Sequence, residues 1–545
     1  MNIITIFILI AFTAITKADT TIYVDSNSQY LAPKCGFVVD QACQTIHDAV
    51  YTFGNTTSDS SIALDIKMLG GTYYNFTFLA SKYPPLDITN YNINISPFVT
   101  GNNSKPVIIS GQYFRNYFLT SVSQYNIANA TSLQINNISF TQFTYSIMYY
   151  LPTYRYNGNS FLFNNIQVYG CSALNPLFYF AQPSYVYSNY VYPNVSVSNS
   201  VFSNNKVNTM SVFSKTSNGL WFLYKINLVM ENNVFKLNAI PSISCSYSIA
   251  VFNFSTFDSN SYGSSIYTTY TKVSILNSLF ITNNQKYYGS NGGAYSSDSD
   301  LYVVIQNSTF NGNYANYGGA IYLDSSRSTI TDSHFISNEA TQIGGALYFW
   351  MGSSSVSNTF FENNVANSGM TANMYYSSVT FTNSSSYFVS PYPTSSSGSI
   401  ISLNTNSNFM AFNFSVSDYV YTPTNGGQDY INVISCSEST FSLDQDSYIG
   451  TYNQNDKKAS CYNCDFYTSD FSRYDIQGCQ SHIGPNSKKT LTTEGKVLLA
   501  FLIISIFIFL AALCCVIAAG KKARQFHSDY NEIHDQHRFI PLISK

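Results

Sequence analysis

Between residues 301 and 351 the chain says one sentence twice, and that repetition limits what it can fold into. Val304-Ile-Gln-Asn-Ser-Thr-Phe-Asn-Gly-Asn-Tyr-Ala-Asn-Tyr-Gly-Gly-Ala-Ile-Tyr322 is followed by Ile330-Thr-Asp-Ser-His-Phe-Ile-Ser-Asn-Glu-Ala-Thr-Gln-Ile-Gly-Gly-Ala-Leu-Tyr348. Phe310 and Phe335 are 25 residues apart, as are Asn313 and Asn338, while Gly318-Gly319 and Gly344-Gly345 are 26 apart. A looser copy precedes them (Phe280, Asn283, Gly292, Gly293) and a decaying one follows (Phe361, Asn364, Ala366, Gly369). A fixed period of this size means a solenoid, in which each repeat buries its apolar face only against its neighbours.

Each repeat holds two runs rich in β-branched and aromatic residues, 302–310 and 320–323, then 329–336 and 346–350. Bounded by Gly and Asn, they read as strands. The glycines permit positive φ at a corner, and Asn side chains bond local backbone. No stretch has the helical period of a crossover, and a parallel crossover through a helix needs about 30 residues. The chain is therefore expected to coil as two or three short strands per turn, stacked about 4.8 Å apart. Phe310, Phe335 and Phe361 would stack inside, with Phe280 a looser repeat-core copy, and Asn313, Asn338 and Asn364 would form a hydrogen-bonded ladder. The expected fold is an all-β parallel β-helix.

The pairing of Phe-x-x-Asn with Gly-Gly-Ala-Ile or Gly-Gly-Ala-Leu resembles the repeats of polymorphic outer-membrane-type proteins. Related repeats occur in microbial and protist surface proteins of the pectin-lyase-like type. The resemblance covers residues 275–372, with weaker copies at Phe202/Asn205, Phe235/Asn238 and Phe257/Asn260. It implies a right-handed parallel β-helix, a scaffold that carries many activities or none.

Residues 1–18 have an apolar core and a small-residue exit at Ala18, the pattern of a cleaved secretory signal. Residues 19–89 read as an N-terminal cap and first coils. A strand at 21–25, a loop bracketed by Cys35 and Cys43, an amphipathic turn at 45–50, a further strand and Gly71-Thr-Tyr73 resemble the start of pectin-lyase-like β-helices. There the helix closes the open end of the core, which would otherwise expose stacked apolar side chains. The secreted context makes Cys35–Cys43 a disulfide candidate.

Residues 90–450 are the expected β-helix ectodomain, although the repeat blurs from 90 to 271. Solenoid insertions often map to the binding face, so the Tyr-rich insert 179–193 is a candidate contact surface; alternatively its tyrosines pack over coil edges. Cys171 and Cys245 are either buried thiols or a bridge across coils. The segment 384–399 reads as an exposed loop. In 451–496, Cys461, Cys464 and Cys479, with Cys436 upstream, lack the second paired ligands zinc needs, and read as disulfides. Residues 497–519 carry no charge over 23 positions, enough for one transmembrane helix. The signal places the ectodomain on the extracellular or lumenal side, at the plasma membrane or an endomembrane, with 520–545 as cytoplasmic tail. Cys514 and Cys515 are acylation candidates or plain helix residues. Tyr530-Asn-Glu-Ile533 has the form of a clathrin-adaptor sorting signal, and His527, His534 and His537 read as a solvated tail.

Charged residues make up 10% of the chain and aromatic ones 17%, with a net charge of −3. Few charges and many aromatics favour β structure over disorder, and the lack of basic clusters argues against a nucleic-acid partner. Solubility then falls to Asn-x-Ser/Thr sequons at Asn55, Asn75, Asn94, Asn102, Asn129, Asn137, Asn194, Asn253, Asn307, Asn383 and Asn413. Together with the anchor they point to a eukaryotic secretory pathway. Carbohydrate-active enzymes need clustered carboxylates. Here most of Asp298, Asp300, Asp324, Asp332, Glu339 and Glu362 read more simply as water-exposed corner residues, and no catalytic residue, metal or cofactor is assigned. The expected function is a non-enzymatic, single-pass surface glycoprotein for adhesion or for recognition of a carbohydrate or protein ligand. An endocytic or sorting receptor is the alternative; a polysaccharide lyase or hydrolase ranks below both.

Overall fold

The computed structural model describes residues 18–56, 62–74, 85–99, 105–112, 116–122, 130–152, 158–183, 192–207, 219–239, 241–284, 290–387, 399–417, 432–450, 457–470, 474 and 476–483. The chain divides into units 1–483 and 484–545, and every described residue belongs to the first. Residues 1–17 of the expected signal, the span 497–519, the tail with Tyr530 and Ile533, and the sequons Asn75, Asn102 and Asn129 lie outside the described residues. Among the described residues, no helix is long and apolar enough to cross a membrane.

Three long parallel sheets run the length of the unit, with 17, 14 and 15 strands; we call them A, B and C in the order the chain visits them. One coil is Tyr302–Gln306 in A, Thr309–Asn311 in B and Ile321–Asp324 in C; the next is Arg327–Thr331, His334–Ile336 and Leu347–Trp350. Equivalent residues pair in register, Ile305 with Ile330, Phe310 with Phe335 and Ile321 with Leu347. The apolar run 302–310 is thus two strands, not one. Asn307 breaks it with φ of 47°, a left-handed conformation that Asn tolerates better than other side chains. Asp332 breaks the run 329–336 in the same way.

In the clearest coils alternate residues are buried, as at Val303, Ile305, Phe310, Ile321 and Leu323. Phe202, Phe235, Phe257, Phe280, Phe310, Phe335 and Phe361 stack with centroids 4.7–5.1 Å apart, the spacing of the strands that carry them. Beside this column runs an asparagine ladder from Asn205 to Asn364, every member buried. Asn313 shows the pattern: its Nδ2 donates to Asn338 Oδ1 at 2.9 Å and to the Phe280 carbonyl at 3.1 Å, and its backbone N–H donates to Asn338 Oδ1 at 3.0 Å. Buried amides cost free energy unless paired, and each rung satisfies the next.

At the N-terminal end, helix α1 (Ile46–Thr56) lays Ile46, Ala49, Val50 and Phe53 over the first coil. It runs past the expected turn at 45–50 because Phe53 continues the apolar stripe. Thr45 starts it: its Oγ1 accepts the Asp48 N–H at 3.0 Å, satisfying a first-turn donor, and donates to Asp48 Oδ2 at 2.7 Å. Cys35 and Cys43 are disulfide-bonded beside it.

Coils continue in register through the blurred region: Met148, Phe178, Trp221, Ile243 and Ile266 are paired neighbours in sheet C. What varies there is the length of the connections. The solenoid also runs past the expected boundary at 450, with Lys457–Tyr462, Asp465–Thr468 and Gln480–Ile483 joining sheets C, A and A.

Candidate functional site

The outer surface of sheet C, at its edge toward sheet A, gathers the groups best suited to contact a ligand. One outward position per strand forms a column in register: Tyr224, Ser246, Thr269, Asp298, Asp324, Trp350 and Tyr375. The residue that follows each strand turns the corner with positive φ, and four of these are large and exposed: Tyr247 (43%), Tyr270 (44%), Met351 (51%) and Tyr376 (45%). A left-handed residue at a one- or two-residue corner projects its side chain away from the coil, so the ridge follows from the turn.

Two aromatic platforms result. In one, Tyr247 stacks on Tyr270 at 4.9 Å and meets Tyr224 edge-on at 5.5 Å. In the other, Trp350 stacks on Tyr375 at 4.5 Å, with Tyr376 edge-on to Tyr375 at 4.8 Å. Between them lie Asp298 and Asp324, directly paired neighbours. From the Tyr270 coil to the Trp350 coil is three strand spacings, about 14 Å.

The serines after the strands fix the two carboxylates. Ser299 Oγ donates to Asp298 Oδ1 at 3.0 Å, and Ser325 Oγ to Asp324 Oδ1 at 2.8 Å. Neither carboxylate has an ion-pair partner among the described residues. Burial holds the Asp324 carboxyl above its ordinary range, and the like charge of Asp298 adds to the effect. Tyr322 and Tyr348 stack at 5.2 Å on the other side of the strip, and burial raises both hydroxyls well above the usual tyrosine range.

The Gly-Gly pairs let the corner between sheets B and C close tightly over this region. A Cβ on Gly318, whose φ is +62°, would lie 2.1 Å from the Ile321 carbonyl oxygen, and one on Gly319 would lie 2.2 Å from that of Gly345. The same corner brings Tyr317 to 5.7 Å from Tyr348.

Asp300 departs from expectation. It is 3% exposed rather than a water-facing corner acid, because it follows the positive-φ Ser299 and turns into the core. Its place in the coil is taken by Ser248, Thr271, Ser326 and Ser377 in nearby coils, a column of small hydroxyls that cap the corner. Its Oδ1 accepts the Thr271 N–H at 2.8 Å and its Oδ2 the Tyr295 hydroxyl at 2.8 Å, and Thr268 also donates to it. Burial pushes its carboxyl up to about 6. With both oxygens occupied by the fold, it is a structural group beneath the strip.

The remaining candidates fall elsewhere. Cys436 bonds Cys464 and Cys461 bonds Cys479; the Cys436, Cys461 and Cys464 sulfurs lie within 4.8 Å of one another. Disulfide sulfurs of this kind are not the thiolates a zinc site uses. Cys171 and Cys245 are separate buried thiols, both pushed up to about 12 by burial. Of the Tyr-rich insert, Tyr179 stacks between Tyr149 (4.7 Å) and Phe222 (4.9 Å) on the outer surface of sheet C, while residues 184–191 lie outside the described residues. Ala18 begins the first strand, Ala18–Val24. Asn55 is on α1, Asn94, Asn194 and Asn253 are on sheet A, and Asn137, Asn307, Asn383 and Asn413 are at the corner between sheets A and B.

Sequence reasoning missed Trp350, Tyr375 and the corner tyrosines. The available signal was their common place, at or just after the last outward position of each C strand.

No family model matches the chain, and no curated protein matches it in sequence. Among solved structures, the crystal structure of bacteriophage CBA120 tailspike protein 3 is similar at a TM-score of 0.39 and 11% sequence identity. The match covers 79% of this chain and 58% of the tailspike chain.

Proposed function

We propose that this chain is a non-enzymatic, membrane-anchored surface glycoprotein whose sheet C edge binds saccharide. The observation that carries the reading is the pair of aromatic platforms flanking two carboxylates without ion-pair partners. An aromatic face packs against the C–H face of a pyranose and gives large contact area at low entropic cost. A carboxylate between two such faces accepts charge-assisted hydrogen bonds from sugar hydroxyl or ammonium groups. The span of about 14 Å suits an oligosaccharide lying across the coils, along the solenoid. Two adjacent negative charges disfavour uronic or sulfated sugars, so the ligand is a neutral or amino-sugar polymer.

Binding needs only stacking faces and acceptor groups, which Tyr270, Trp350, Asp298 and Asp324 supply. Anchoring rests on the signal-like residues 1–18 and the uncharged run 497–519. Retention of the full chain on immobilised neutral and amino-sugar polysaccharides tests the reading. Trp350→Ala and Tyr270→Ala should each weaken retention about tenfold, the equivalent of roughly 1.4 kcal/mol. Retention indifferent to both changes would refute it.

A further inference from the structure

The sequons sort by their place in the coil. Eight of the eleven lie among the described residues. Three of those are on strands of sheet A (Asn92–Pro97, Asn194–Ser198 and Ile249–Asn253), and one is on α1. The other four, Asn137, Asn307, Asn383 and Asn413, occupy the same structural position, the residue after an A strand where the chain turns toward sheet B. Among the described residues, none lies on sheet B, on sheet C, or in the connections flanking sheet C.

The corner explains why four sequons share a site. It demands positive φ, and these four asparagines have φ of 56°, 47°, 48° and 49°. The residue two positions on enters sheet B facing outward and is Ser139, Thr309, Ser385 or Ser415, partly exposed in each case. A turn-forming Asn and an outward hydroxyl thus build the sequon, and all four asparagines are exposed. Their carboxamides are already aligned. Asn307 Nδ2 donates to Asn277 Oδ1 at 2.8 Å, Asn413 Nδ2 to Asn383 Oδ1 at 3.0 Å, and Asn165 Nδ2 to Asn137 Oδ1 at 2.6 Å. Such a nitrogen carries two hydrogens and the column uses one, so substitution of the other leaves the column intact.

We infer that N-linked glycans line this one corner between sheets A and B. The donor is an oligosaccharide carried on a lipid pyrophosphate. The Nδ2–C1 bond forms as the C1–O bond to the lipid pyrophosphate breaks; the lipid pyrophosphate leaves with the electron pair, and Nδ2 gives up one proton. Modification happens on the extended chain, and the exposed corner accommodates the product after folding. Asn383 and Asn413 lie in adjacent coils, so their glycans emerge side by side. The arrangement hydrates a chain with few charges.

The test is site mapping on the full chain made in a eukaryotic secretory cell. Release by peptide N-glycosidase F in 18O-water converts each occupied Asn to labelled Asp. Label at three or four of Asn137, Asn307, Asn383 and Asn413 is expected; label at fewer overturns the inference. Ser139→Ala, Thr309→Ala, Ser385→Ala and Ser415→Ala remove each sequon without touching the corner asparagine, and each should shift the chain by one glycan on a denaturing gel. Absence of that shift at a site shown as labelled would equally overturn it. The inference does not depend on what sheet C binds: unlabelled corners with saccharide retention intact would defeat it alone.

Discussion

Asn338→Ala is the perturbation that weighs the internal ladder most directly. The Asn338 side chain donates from Nδ2 to the Phe310 carbonyl and to Asn364 Oδ1, both at 2.9 Å. Its Oδ1 accepts the Asn313 backbone N–H at 3.0 Å and Asn313 Nδ2 at 2.9 Å. Truncation leaves three buried groups without these partners: the Phe310 carbonyl, the Asn313 N–H and one Asn313 amide hydrogen. Asn364 Oδ1 keeps the Asn338 backbone N–H at 3.0 Å. At about 1–3 kcal/mol per orphaned group, with some relief from relaxation, the cost is about 3–6 kcal/mol. Because a solenoid couples each coil mainly to its neighbours, the loss should be local. Hydrogen exchange read by mass spectrometry should show protection falling in residues 302–365 before it falls near the α1 cap, alongside a lower urea midpoint. Ser355→Ala, an outward change on sheet A, should stay within about 0.5 kcal/mol. A cost under about 1 kcal/mol for Asn338→Ala, with protection unchanged, would refute the ladder as a stabilising device.

Two further predictions concern the coil around the strip. The Asp300 carboxyl sits at about 6 against an ordinary 3.8, so the folded chain holds this proton more tightly than the unfolded chain. The sign follows: stability is fullest below pH 4 and falls as pH rises through 6, by roughly 3 kcal/mol for this one group. Asp300→Asn should match the parent at pH 4 and exceed it at pH 7.5 in urea unfolding; parallel stability profiles would contradict this. A Cβ on Gly345 would lie 2.3 Å from the Met370 carbonyl oxygen and 2.8 Å from Val365 backbone. Gly345→Ala should therefore unfold the neighbouring coils, and a variant with unchanged hydrogen-exchange protection would show that the corner can open.

The fold was legible where one residue type alone fits. Phe310 and Phe335 meet ring on ring, Asn313 and Asn338 complete each other's hydrogen bonds, and Gly319 and Gly345 have backbone where a Cβ would go. Upstream the repeat blurred because one inward column of sheet C accepts any side chain that fills the space: Met148, Phe178, Trp221, Ile243, Ile266, Tyr295 and Ile321. The corner inside 302–310 was hidden because Asn307 interrupts an apolar run without ending it. Asp300 read as a surface acid because its burial emerges only when it is aligned with Thr271 and Ser326 in neighbouring coils. The strip itself was not legible. Outward positions carry no packing constraint, so Tyr224, Asp298, Asp324, Trp350 and Tyr375 show no period, and they meet only once coils of unequal length are in register.

The chain holds two tryptophans, Trp221 in the core and Trp350 on the strip, so intrinsic fluorescence reports on the proposed site without a label. The deciding measurement is a titration of the full chain with neutral, amino-sugar and uronic oligosaccharides. A saturable change is expected with a neutral or amino-sugar ligand, none with uronic ones, and loss of the response in Asp298→Asn/Asp324→Asn with the fold intact. A response to uronic sugars alone, or none to any of the three classes, would contradict it.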